Sequence, residues 1–198
     1  MSKGEETRST ILDEALAAAS KVGLEGLSIG SLARQVGMSK SGLFAHFDSK
    51  EALQLQVLEA SIERFIGQVM APALRAPRGE PRIQALFERW LIWDDDPAMP
   101  GGCVFMQLAN EQDARPGPLR DRLAASQADW LDALSTAARI AIEEGHFRPD
   151  MDRRQFAYDL YSVLLAYHHF HRLLRDPQAE GRARRALERL LDDCRATA

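Results

Sequence analysis

Cysteine is scarce in this sequence of 198 residues, which contains only Cys103 and Cys194. Their separation matches no metal-ligand spacing, and a chain of this length can bury a core without disulfides. Both are interpreted as incidental thiols in a reducing compartment. The polar N-terminus lacks the apolar segment of a signal peptide, and no run approaches the roughly 18 apolar residues of a membrane helix. We therefore expect a cytoplasmic protein with no membrane partner.

Strand-like alternation of apolar and polar residues is also absent. Apolar residues recur at helical spacing almost throughout, and glycine and proline fall at intervals that separate helices. The pattern predicts an all-α fold of about nine helices. They are expected near residues 5–22, 29–36, 40–46, 50–70, 82–93, 103–112, 119–144, 153–174 and 179–195. The Pro/Gly-rich residues 71–81 are the clearest predicted linker.

Motifs of catalysis and metal binding are missing. There is no nucleophile elbow, phosphate loop or pair of carboxylates placed for acid–base chemistry. Glu143 and His146 match one Glu-x-x-His element, but di-iron bundles need two, so His146 is interpreted as a residue of a helix end. His168 and His171 share a helix face without a carboxylate or thiol at ligand spacing, and with His169 they are expected to pack in a subunit interface. We expect no enzyme, no cofactor and no metal site.

The net charge of the chain does not by itself indicate a class of function. The formal net charge is −4, and the first fifty residues carry six basic and six acidic side chains. This balance excludes a protein coated with basic charge, but it does not exclude a local nucleic-acid footprint.

Two short predicted helices, residues 29–36 and 40–46, are joined by a turn at Gly37 and Met38. Neither is long enough to build a core, so both are expected to pack on the first helix as a three-helix DNA-binding unit. In such a unit the helix after the turn enters the major groove with its N-terminal residues foremost. The residues expected to meet DNA are therefore Ser39, Lys40, Ser41 and Gly42.

Gly42 is an unusual residue inside a short helix. It costs about 1 kcal/mol of helix propensity relative to alanine. Close approach of the helix to DNA would explain it, with hydroxyls and an ammonium beside it that donate to phosphates. The alternative is that Gly42 permits tight packing between helices.

Residues 27–53, LSIGSLARQVGMSKSGLFAHFDSKEAL, resemble the N-terminal domain of TetR-family transcriptional regulators. The family pattern runs hydrophobic-x-x-hydrophobic-Ala, Gly-hydrophobic-Ser, an aromatic residue, His-Phe and Ser-Lys. The matching residues are Ile29, Leu32, Ala33, Gly37, Met38, Ser39, Leu43, Phe44, His46, Phe47, Ser49 and Lys50. The strong match covers about residues 8–55, and residues 101–121 resemble a stretch of one subset of the family.

The resemblance implies which side chains approach DNA: Ser28, Ser39, Lys40, Ser41, His46 and Lys50, with Lys50 on a phosphate. Phe44 stands where the family usually has a tyrosine whose hydroxyl reaches a phosphate. That hydroxyl contact is missing here; Phe44 stays a candidate DNA-binding residue by its position, with a role in packing alone as the alternative.

The second predicted domain, residues 51–198, follows the DNA-binding domain of residues 1–50. In the TetR family it encloses an effector pocket, and its apolar, aromatic helices favour a hydrophobic or aromatic effector. Core packing stays the alternative for each side chain. The candidate effector contacts are Trp90, Trp93, Phe105, Met106, Asn110, Trp130, Tyr158 and Tyr161.

The last two predicted helices carry apolar stripes. A helix pair from each of two subunits would form a four-helix bundle, with an intramolecular core as the alternative. The resemblance implies a homodimeric, ligand-responsive regulator, expected to be a repressor, that binds a palindromic DNA operator and releases it when a small-molecule effector binds. The alternative function is a helical ligand-binding or interaction protein with weak DNA binding.

Overall fold

A computed structural model describes residues 3–196 of the chain. This range contains nine helices and no β-strand, which confirms the predicted all-α class. The helices are α1 (Lys3–Val22), α2 (Ile29–Gln35), α3 (Lys40–Phe44), α4 (Lys50–Phe65), α5 (Glu80–Asp94), α6 (Val104–Gln112), α7 (Pro118–Glu143), α8 (Arg153–His168) and α9 (Ala179–Cys194).

Local sequence signals set the ends of the first three helices. α1 stops at Gly23, whose φ of +71° lies in the left-handed region that glycine adopts without strain. The hydroxyls of Ser28 and Ser39 cap α2 and α3, and Ser39 Oγ accepts from the Gly42 N–H at 3.0 Å. α3 is shorter than predicted, because a turn begins after Phe44.

The predicted linker begins inside a helix. α4 continues through a π-helical turn, Ile66–Met70, into a last turn at Ala71–Ala73. Pro72 has no N–H, and in an α-helix its ring would collide with the carbonyl four residues before it. The wider turn ahead of Pro72 removes that collision, so the helix passes the point where the sequence predicts its end.

The chain folds into two compact units. The first consists of the residues up to Arg64 together with Asp95–Ala124, and the second of Phe65–Asp94 together with the residues from Ala125 onward. The predicted functional boundary at residue 50 is a different division and stays a prediction.

The core of the first unit is built as the helical stripes predict. Side chains of α1, α2, α3 and α4 are buried together with Phe47, which lies between α3 and α4. The set includes Ile11, Ala15, Leu16, Ala19, Leu32, Ala33, Leu43, Leu53 and Val57. A role of Phe44 in packing alone is not favoured, because 43% of its surface is exposed. On the five-residue α3 only Leu43 is buried, so Phe44 is not a core residue and gives only part of its surface to packing.

The core of the second unit contains a buried carboxylate. Asp94, the last residue of α5, has no exposed surface. Its Oδ1 lies 2.7 Å from His168 Nδ1, and its Oδ2 lies 3.5 Å from Arg172 Nε. Arg172 also donates to the Asp94 carbonyl. His168 thus has a carboxylate partner that is distant in sequence, which the local ligand spacing could not reveal.

Three further sequence expectations concern thiols, metals and membranes. Both cysteines are buried thiols, and burial raises the pKa of the Cys194 thiol. Within residues 3–196, no three His, Cys, Asp or Glu side chains form a group that could hold a metal ion. None of the helices described is long and apolar enough to cross a membrane.

Replacing Asp94 with asparagine should lower the free energy of unfolding by about 3 kcal/mol, because it removes the buried charge that compensates the Arg172 guanidinium. Glu88→Gln is the matched control. It breaks the exposed pair of Glu88 with Arg184, whose Nη2 lies 2.8 Å from Glu88 Oε2, and should cost less than about 1 kcal/mol. Urea denaturation measures both; equal losses would contradict the assigned role of Asp94.

Candidate functional site

The start of α3 presents a compact group of hydroxyls. Ser39 Oγ lies 3.0 Å from Ser41 Oγ and accepts the Gly42 N–H. Ser39, Lys40 and Ser41 are all exposed. The capping bond occupies an acceptor site of Ser39 and leaves the serine pair with a hydroxyl hydrogen to donate outward.

Lys40 lies against the first turn of α2. A Cβ placed on Gly30 would stand 2.8 Å from Lys40 Cε and 3.9 Å from Ser28 Oγ. The absent side chain of Gly30 therefore leaves the room in which the Lys40 stem crosses α2. Sequence reasoning missed Gly30, although the question raised by Gly42, a glycine inside a short helix, applies equally to it.

The structure bears on the packing alternative for Gly42. A Cβ at this position would meet only Ser39 Oγ at 3.2 Å and Met38 Cε at 3.5 Å, both from its own turn. Tight packing against another helix therefore does not account for Gly42, and close approach to DNA stays the prediction.

The other predicted DNA contacts have different surroundings. Lys50 Nζ donates to the Glu25 carbonyl at 3.1 Å and lies 3.5 Å from the Glu25 carboxylate. His46 is half-buried in the turn after α3, and Phe44 is exposed. Ser28 accepts from the Ser31 N–H at 3.4 Å. The Lys50 ammonium carries three N–H donors, so a donor beyond its two contacts with Glu25 is available for a phosphate while Glu25 holds the side chain.

The predicted effector contacts divide between the two units. Phe105, Met106 and Asn110 belong to the first, and Asn110 is exposed there. The second contains Trp90, Trp93, Trp130, Tyr158 and Tyr161. The three tryptophans are buried, whereas Tyr158 is 66% exposed. Tyr161 donates from its hydroxyl to Gln127 Oε1 at 2.7 Å.

Phe65 joins two of these tryptophans. Its ring centroid lies 5.3 Å from that of Trp93 and 5.1 Å from that of Trp130, both in edge-to-face geometry. Trp130 is only 5% exposed, and its indole N–H has no hydrogen-bond partner among the residues described. A buried donor left in this way can bind an acceptor atom of a ligand. The sequence did not single out Phe65, because nothing local marks it.

α8 and α9 leave an apolar surface open. A groove of about 330 Å³ lies between them, and Val163, Ala166, Phe170, Ala183 and Ala186 contribute to its walls. The predicted stripe is split, since Leu160, Leu164, Tyr167, Leu187 and Leu191 are buried within the chain itself. Leu165, Phe170 and Leu173 remain exposed.

Known structures share this fold over most or all of the chain. A TetR transcriptional regulator from Chloroflexus aurantiacus J-10-FL is 24% identical, with a TM-score of 0.88 and 100% of both chains covered. One from Cytophaga hutchinsonii is 20% identical, with a TM-score of 0.86 and coverage of 100% of this chain and 99% of that one. AibR in complex with isovaleryl coenzyme A and operator DNA is 22% identical, with a TM-score of 0.68 and coverage of 82% and 85%.

Protein-family models match both parts of the chain. Residues 11–57 match the model described as bacterial regulatory proteins of the tetR family. Residues 79–187 match the model of the tetracyclin repressor-like C-terminal domain. No curated protein sequence matches the chain closely. The two models, together with the helix-turn-helix and the fold, show that the chain belongs to the TetR family of transcriptional regulators, with a DNA-binding N-terminal domain and a ligand-binding C-terminal domain.

Proposed function

We propose that this regulator is a repressor that binds a palindromic operator as a homodimer and releases it when a small molecule binds the C-terminal domain, residues 51–198. The observation that carries the proposal is the exposed group of Ser39, Lys40 and Ser41 at the start of α3, in a helix-turn-helix of the TetR family. Two hydroxyls and an ammonium at the leading end of this helix match the donors that phosphates require.

The sequence-specific part of binding is expected to come from α3. Gly42 lets the backbone approach the groove, and exposed Phe44 offers an apolar surface of the kind that contacts thymine methyl groups. Ser28, His46 and Lys50 complete the proposed contact set. Because the first fifty residues are neutral, local donors have to supply the affinity that a broadly basic domain would gain from its charge.

The aromatic group of Phe65, Trp93 and Trp130 supports the effector part of the proposal. A ligand that contacts it would be largely apolar and would offer an acceptor atom to the Trp130 indole. AibR, which has the same fold, is known as a complex with a small molecule and operator DNA.

The groove between α8 and α9 supports dimerisation. Its walls are mostly apolar, although Ser162 and Arg182 also line it. Leu165 of α8 is exposed as well, and so is Leu173 in the π-helical turn His169–Leu173 that continues α8. A two-fold axis that sets this surface against its copy would form the predicted four-helix bundle and bury these side chains. Two helix-turn-helix units related by that axis require a palindromic operator.

Substitution of Lys40 tests the operator contact. After selection of random duplexes by the wild-type protein, Lys40→Ala should bind the selected duplex about tenfold more weakly and reduce the slope of log affinity against log salt by about one, since it removes one phosphate contact. Lys21→Ala removes the same charge from the exposed end of α1 and should change neither quantity much. Selection without an enriched sequence, with a shallow salt slope, would favour the alternative of a ligand-binding protein with weak DNA affinity.

Substitution of Phe170 tests the dimer. Phe170→Glu places a charge in the apolar groove and should shift the protein from dimer to monomer in sedimentation velocity at micromolar concentration, with loss of binding to the palindromic duplex. Ile92→Glu is the control, because Ile92 is an exposed apolar residue of α5 outside the groove. A dimeric Phe170→Glu protein would contradict the proposed interface.

The Trp130 indole N–H, which lacks an acceptor among the described residues, leads to a prediction about ligands. Compounds that stabilise the wild-type protein in a thermal-shift screen and carry an oxygen or nitrogen acceptor should bind Trp130→Phe up to about tenfold more weakly, since phenylalanine keeps an aromatic ring but lacks the donor. Compounds without an acceptor serve as the control and should lose less affinity. Equal losses in both groups would assign Trp130 to packing alone.

A further inference from the structure

The loop between α1 and α2 is held by a carboxylate from α6. The two oxygens of Glu111 accept the backbone N–H groups of Leu24 and Glu25, each at 2.8 Å. A carboxylate that accepts two successive backbone donors fixes both peptide planes. The loop has a glycine on either side of this contact, Gly23 and Gly26, so its own sequence does little to restrict its conformation.

Gly23 fits this contact in two ways. Its φ of +71° suits glycine, and a Cβ at this position would stand 2.4 Å from Glu111 Oε1. Because Gly23 has no Cβ, the Glu111 carboxylate can lie directly against the backbone at this position. Glu111 and Gly23 are therefore complementary in shape as well as in hydrogen bonding.

The same loop contacts α4 on its carbonyl side. Gln54 Nε2 donates to the Leu24 carbonyl at 2.9 Å, and Lys50 Nζ donates to the Glu25 carbonyl at 3.1 Å. The Glu25 carboxylate lies 3.5 Å from Lys50 Nζ and 3.6 Å from Arg115 Nη1. Glu111 accepts the Glu25 N–H and so fixes the position of Glu25. Glu25 in turn determines where the Lys50 ammonium is held.

We propose that Glu111 is a positioning residue for DNA binding: it fixes the loop that leads into α2 and, through Glu25, sets the position of Lys50 relative to a phosphate. This inference rests on the proposed operator binding.

The sign of the effect separates positioning from simple charge. Removal of a negative charge from a DNA-binding unit strengthens binding through electrostatics alone. Loss of the loop contact should weaken DNA binding, because the start of α2 and the Lys50 ammonium are no longer held in fixed positions relative to α3. Glu111→Gln removes the charge and turns an amide NH₂ toward a backbone N–H that needs an acceptor. Weaker binding by this variant therefore cannot arise from its changed charge.

The experiment compares Glu111→Gln with Asp113→Asn in the full-length protein. Asp113 is exposed at the end of the same helix, and its substitution removes the same charge. Glu111→Gln should bind the selected duplex about tenfold more weakly, and the amide hydrogens of Leu24 and Glu25 should exchange faster with solvent. Asp113→Asn should bind as tightly as wild type or slightly more tightly, with unchanged exchange.

A second variant guards against an effect of charge or of misfolding. Glu111→Asp keeps the charge but is one methylene too short to reach both N–H groups, so it should show the same faster exchange and weaker binding. If wild type selects a duplex and both folded variants bind it equally well, the positioning role is overturned while the proposed function stands. If amide exchange is unchanged, the role is overturned as well. If wild type selects no duplex, the proposed operator binding itself fails.

Discussion

The burial of α2 and α3 against longer helices is the constraint on which the DNA-binding unit depends. These helices have seven and five residues, too few to be stable alone in water. Leu32, Ala33 and Leu43 supply their buried surface, and α1 and α4 supply the rest of that core. The outward face of α3 is consequently free to carry small polar residues and a glycine, which contribute little to its stability.

Polar contacts between residues far apart in sequence fix the relative positions of elements that the apolar core brings together. Glu111 fixes the loop ahead of α2, and a bidentate pair joins Arg122 of α7 to Glu59 of α4 at 2.6 and 2.8 Å. Asp94 does the same for α5 and α8 in the second unit. Such contacts specify geometry rather than add much net stability, because the loss of hydration opposes their attraction.

Some apolar side chains of the second unit are buried in its core, and others remain exposed. Leu160, Leu164 and Leu187 are buried in the core, whereas Leu165, Phe170 and Leu173 remain exposed, and Phe170 lines an apolar groove. A helix that is apolar around much of its circumference is suited to burial on two sides. Trp130 also has a part that the fold leaves unsatisfied. Its ring belongs to the core, but its N–H lacks an acceptor within the described part of the chain.

The sequence by itself determined the helical class, most helix ends and the location of the DNA-binding unit, because these follow from local spacing: apolar stripes, the caps Ser28 and Ser39, and the stop at Gly23. Exposure of Phe44 and continuation of α4 past the predicted linker could not be read in this way, since each depends on which neighbours remain or which hydrogen bonds shift. Only the tertiary structure decided the partners of His168, Lys40 and Glu111. Glu111 lies 87 residues from Leu24, and no periodicity of the sequence records a contact that folding alone creates.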